Sequence, residues 1–126
     1  MDTLWLGLAG ALGTIARYHI DRWIQSRVEA PFPCGTLTVN VLGSFLLAVL
    51  MSACVRTEWV SPHLRWLLAT GVLGGFTTYS AFNLETLRLL QEGATGRGVL
   101  YVGATLGGCL AAGAAGWALG RAVSGG

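Results

Sequence analysis

Two short stretches hold side chains that an oily chain has little reason to keep. GTLTVNVLGSF, residues 35–45, places Asn40 inside an apolar run. An amide there is expensive without partners. Its NH₂ is a neutral donor suited to an anion, and equally to a hydrogen bond between two helices. Thr36, Asn40 and Ser44 recur at four-residue spacing and form a polar stripe along one helical face. GVLGGFTTYSAFNLE, residues 71–85, starts as an apolar helix and then interrupts itself. Gly74 and Gly75 weaken the helix near its middle, and Thr77, Thr78 and Ser80 offer hydroxyls for freed backbone groups. Carbonyls released at such a break make a hard-oxygen site for a cation, with half-helix dipoles in support. A kink used only for packing is the alternative. Tyr79 and Phe82, three residues apart, share a helical face, and the positive edges of their rings can line an anion's path. Plain core packing explains the same spacing.

Three further features extend this set. Arg17, near the end of the first apolar run, either snorkels to an interface or concentrates anions at a vestibule. Glu85 follows Phe82 by about one turn and either caps polar groups at a pore mouth or sits at the interface. Thr105 and Cys109, four apart, extend a polar track.

The elements that must position these residues are membrane helices. The chain of 126 residues is 53% hydrophobic and only 11% charged, where a soluble domain carries about 25%. A helix needs roughly 20 apolar residues to cross a bilayer. Four stretches meet or approach this, at about residues 3–20, 34–55, 64–90 and 98–119, within a single domain over residues 1–126. Pro31, Pro33 and Pro62 all fall in the short connections. The loop arginines nearly balance: Arg56, Arg65 and Arg121 on one side, Arg22, Arg27, Arg88 and Arg97 on the other. Such a chain has weakly set orientation and could pair with an inverted copy of itself. Gly7, Gly10 and Gly13, with the pairs Gly103–Gly107 and Gly116–Gly120, allow close helix packing, within one subunit or between two. A net charge of +2 gives no nucleic-acid footprint. Cys34, Cys54 and Cys109 lack the spacing of a zinc site. His19 and His63 belong to no catalytic arrangement, so the chain is not read as an enzyme.

GALGTIARY, GTLTVNVLGSF and GVLGGFTTYSAFNLE occur in that order on the first three spans. Together they resemble the signatures of the Fluc (CrcB) fluoride channels, over essentially the whole chain. The resemblance implies an all-α integral membrane protein with four spans, the third broken near its middle. It implies an antiparallel, dual-topology homodimer in the bacterial plasma (inner) membrane. Two pores would pass fluoride out of the cytoplasm passively and relieve its toxicity. A structural sodium ion would sit at the dimer centre, held by the backbone carbonyls of Gly74 and Thr77. Asn40, Tyr79 and Phe82 map to pore positions, Ser80 and Glu85 to polar positions along the same helix, Arg17 to the first-span arginine, and Thr105 and Cys109 to fourth-span hydroxyls. The chain departs from the family pattern in Tyr79 for the usual phenylalanine, Ala81 for threonine and Cys109 for serine. A small four-span multidrug exporter is the rival reading. It needs a carboxylate embedded in the first span, where this chain has only Asp2 and Asp21 at the ends. A non-transporting membrane assembly protein is a second rival.

Overall fold

The computed structural model describes residues 2–125, whose regular structure is all helical with no strand among them. Helix α1 runs Thr3–Gln25, past the expected end at Ile20, and starts where the Asp2 carboxylate accepts from Leu4 N–H at 2.9 Å. Helix α2 runs Cys34–Cys54. A third path begins with α3, Pro62–Trp66, capped by Ser61 Oγ and opened by a proline whose missing N–H costs nothing there. It continues as a π-helical stretch, Leu67–Leu73, then α4, Gly74–Phe76, and resumes as α5, Tyr79–Gln91. Gly93, at φ +79°, turns the chain into α6, Thr95–Val123.

Helices α2 and α6 are each long and apolar enough to cross a membrane, with mean hydropathies of 2.0 and 1.5. The distribution of side chains is that of a membrane protein. Leu4, Leu8, Leu12 and Ile15 on α1, and Leu100, Leu106 and Leu110 on α6, face outward, whereas Thr36, Asn40, Ser52 and Thr105 are buried. Water would penalise both halves of that arrangement.

Small residues set the packing. On α6, Gly116 lies against the Phe45 carbonyl of α2, and Gly120 against Ser52 Oγ and the Val49 carbonyl. On α1, Ala9 meets Gly71, and Gly13 lies against the Val72 carbonyl, while Gly75 lies against the Gly10 carbonyl. These contacts answer the question that the glycine spacings left open. Gly10, Gly13, Gly116 and Gly120 pack inside the subunit, and Gly7, Gly103 and Gly107 meet nothing within 4 Å. Gly120→Ala has no room for its methyl and should destabilise the fold by about 1–3 kcal/mol. Gly7→Ala should change it by less than about 1 kcal/mol. Thermal unfolding in detergent, followed by circular dichroism, checks both.

Candidate functional site

The break in the third path lies at Thr77 and Thr78, not at the glycines. Phe76 is the last helical residue; Thr77 (φ −88°, ψ 155°) and Thr78 (φ −150°, ψ 119°) are extended. Gly74 and Gly75 are helical, and Gly75 serves the close approach to α1 instead. An unwound pair inside apolar surroundings must find partners for its peptide groups. Asn40 supplies two: its Nδ2 donates to the Thr78 carbonyl at 3.0 Å, and its Oδ1 accepts from Thr78 N–H at 2.9 Å. Thr77 turns its N–H and its Oγ1 back to the Leu73 carbonyl, at 3.1 and 3.0 Å. Thr78 Oγ1 caps α5 by accepting from Ala81 N–H at 3.3 Å.

Arg17 also comes to the break. Its Nε donates to the Gly75 carbonyl at 3.2 Å, with Thr14 Oγ1 at 3.5 Å from the same oxygen. The unwound backbone thus gives the guanidinium an acceptor. Two carbonyls are left over. Thr78 N–H, which a continuous helix would direct to Gly74, goes to Asn40, and Ala81 N–H, which would go to Thr77, goes to Thr78. No hydrogen bond among the described residues reaches the carbonyls of Gly74 or Thr77. Two uncommitted backbone oxygens beside a broken helix fit the donor set of a hard monovalent cation.

A groove of about 460 Å³ opens beside the break. Asn40, Ser44, Thr77, Tyr79, Phe82, Thr105 and Cys109 line it, from α2, the break, α5 and α6. Tyr79 is 76% exposed, whereas Phe82 is 7% exposed, with the ring centroids 5.5 Å apart and their planes at 72°. Asn40 spends one N–H and its oxygen on Thr78, which leaves its second N–H uncommitted beside the groove. Thr105 is buried, and its Oγ1 has no hydrogen-bond partner among the described residues. The groove thus offers donors and ring edges, with no full charge in its lining.

The remaining predicted positions lie elsewhere. Thr36 Oγ1 donates to Glu85 Oε1 at 2.7 Å, and both residues line a second pocket, of about 330 Å³, together with Asp21 and Arg88. Ser80 is exposed, with Oγ 3.4 Å from Thr78 Oγ1, and lines neither cavity. Tyr101 was missing from the predicted set. It is fully buried on α6, its ring centroid 5.2 Å from that of Phe82, and it lies beside Thr36 and Glu85. Tyr101, Thr105 and Cys109 repeat every fourth residue, the same signal that picks out Thr36, Asn40 and Ser44. Asn40→Ala removes both partners of Thr78 at once. It should destabilise the fold by about 1–3 kcal/mol, and Asn40→Asp, which sets a buried carboxylate oxygen against the Thr78 carbonyl, should cost at least as much; thermal unfolding of the purified variants checks the order.

The sequence pattern of a family described as "CrcB-like protein, Camphor Resistance (CrcB)" matches residues 4–117. A protein of Sorangium cellulosum named "Fluoride-specific ion channel FluC" is 50% identical over 117 residues, covering 93% of this chain and 92% of that protein. One of the same name from Anaeromyxobacter dehalogenans is 53% identical over 105 residues, 83% of each chain. Another, from Rhizobium meliloti, is 45% identical over 120 residues, 95% of this chain and 96% of the relative. A family pattern that covers nearly the whole chain, and relatives of this identity and coverage, place the protein: it belongs to the CrcB family.

Proposed function

We propose that this chain is a passive, selective fluoride channel. It works as an antiparallel, dual-topology homodimer in the bacterial plasma membrane, each chain crossing it four times, and lets fluoride leave the cytoplasm. One observation carries the reading: donors and ring edges from four elements converge on a single groove that one chain leaves open along its side. The names of relatives at 45% to 53% identity supply the ion.

The groove suits a small, strongly hydrated anion. Such an ion must exchange its water for other donors in steps, and several modest sites allow exit as well as entry. The spare N–H of Asn40 and the hydroxyls of Ser44 and Thr105 are donors of that kind. The edges of Tyr79 and Phe82 add positive potential without a charge that would trap the ion. Cys109 continues the line with a weaker donor. Tyr79 is too exposed to be core in a single chain, and a second copy laid against the open side would cover it and complete two pores. Thr36 and Glu85 form the polar line at the other pocket, and Arg17 holds the break in shape.

The carbonyls of Gly74 and Thr77 would hold a structural sodium ion at the dimer interface. When bound, it supplies fixed positive potential between the two pores. The diversion of Thr78 N–H to Asn40 and of Ala81 N–H to Thr78 Oγ1, which takes the usual helical donors away from these two carbonyls, supports this reading.

The test is ion loss from liposomes that hold the purified protein, with fluoride or chloride inside and valinomycin to carry potassium. Rapid fluoride loss with chloride retained is the expected result. Retention of fluoride by liposomes containing folded protein would overturn the channel reading, and proton-coupled drug transport would then be assayed.

A further inference from the structure

Helix α2 can cross a membrane, so the connection that leaves it, residues 55–61, emerges at a bilayer surface. Val55 and Trp59 in this connection are 68% and 66% exposed. A tryptophan at such a place belongs at the level of the lipid headgroups, with one end of its ring system apolar and the other wet. The end of α2, the connection and the first turn of α3 line a cavity of about 650 Å³. Sites for small molecules occupy roughly 300–1,000 Å³.

The chemistry of the lining is that of a phosphate site. Two guanidiniums, Arg56 and Arg65, share it with the hydroxyls of Thr57 and Ser61, and Glu58 is the one carboxylate among the described lining residues. The lining is therefore net positive. Ser61 and Arg65 stand one helical turn apart, tied by Arg65 N–H donating to the Ser61 carbonyl at 2.9 Å. Thr57 Oγ1 is spent on the Ala53 carbonyl at 2.7 Å. Ser61 Oγ accepts from Leu64 N–H at 3.2 Å, which leaves its own O–H to donate. Arg65 is half-buried. Arg56 already has a partner within the chain, and a guanidinium with five N–H groups can serve a second acceptor. Planar forks of this kind match the oxygens of a phosphate.

A free phosphate would use the guanidiniums and leave the apolar side chains beside them bare. A phospholipid uses both. We propose that this cavity takes the headgroup of an anionic phospholipid: Arg56 and Arg65 hold the phosphodiester, Ser61 donates to it, and Val55 and Trp59 lie against the acyl chains. A headgroup that carries its own ammonium is disfavoured, because the net positive lining repels that charge. The assignment rests on the membrane setting of the chain and stands apart from the fluoride reading.

The test uses phosphatidylglycerol, with phosphatidylcholine for comparison, titrated onto the purified full-length protein in detergent and followed by native mass spectrometry. Phosphatidylglycerol should bind more tightly, and Arg56→Gln and Arg65→Gln should each weaken it about fivefold. Arg121 lies at the same end of the molecule, since Gly120 meets the last turns of α2, but outside the cavity. Arg121→Gln should leave the affinity unchanged. Equal losses from all three arginine variants would reduce the effect to general charge attraction and overturn the site, as would equal binding of the two lipids by the wild-type protein. Glu58→Gln serves if an arginine variant fails to fold: it should tighten phosphatidylglycerol binding, and unchanged or weaker binding would overturn the proposal. Displacement of the lipid by inorganic phosphate at equal concentration would assign the cavity to a soluble anion and overturn the lipid.

Discussion

Everything near the break depends on one side chain satisfying one residue's backbone. Asn40 meets both peptide groups of Thr78, and no other residue type of that length offers a donor and an acceptor in the same plane. Without such a partner, two extended residues in an apolar protein would leave peptide groups bare, at a free-energy cost that a marginally stable fold cannot absorb. With it, α5 leaves the line of α4 and turns Tyr79 and Phe82 toward the groove. The diversion of Thr78 N–H is also what leaves the Gly74 carbonyl unbonded. Shape, polarity and free oxygens at the break thus have one origin, on a neighbouring helix.

How far the sequence anticipated this differs by residue. Period-four spacing identified the buried stripe of α2, because a polar side chain in an apolar run is costly wherever it points. The existence of a break was legible from Gly74 and Gly75, but not its place. Glycine permits unwinding and close approach alike, and here the α1 backbone claims Gly75 for packing while threonines take the extended conformation. The role of Arg17 was not legible, since its acceptor is a carbonyl far away in sequence, exposed only once the break exists. Tyr101 escaped notice because an aromatic in an apolar helix is ordinary. Only the folded arrangement shows that it is fully buried beside Thr36 and Glu85. The π-helical stretch Leu67–Leu73 has no signal in LLATGVL that we can identify.

The polar side chains of this protein fall into two kinds. Asn40, Arg17, Thr77 and Thr78 are spent mainly on the backbone. Ser44, Thr105 and Cys109 line the groove, and the Thr105 hydroxyl has no hydrogen-bond partner among the described residues. The first kind maintains architecture; the second leaves donors facing open space. Asn40 ties α2 to Thr78 and keeps a second N–H beside the groove, so its two sequence readings, donor and interhelical tie, are compatible.

The glycine seam between α1 and residues 71–76 has a mechanical consequence. Its closest contacts are backbone carbonyls and the methyl of Ala9, with Leu6 and Thr14 beside them, so few rotatable side chains separate the two segments. Helix α5 joins the second of these segments through two extended residues and an amide clamp, and is held at its far side by α6 and by the Thr36–Glu85 hydrogen bond. The aromatic pair therefore sits between two separate anchorages, one on α2 and one on α6, and a shift of either helix reaches the rings without passing through the glycine seam.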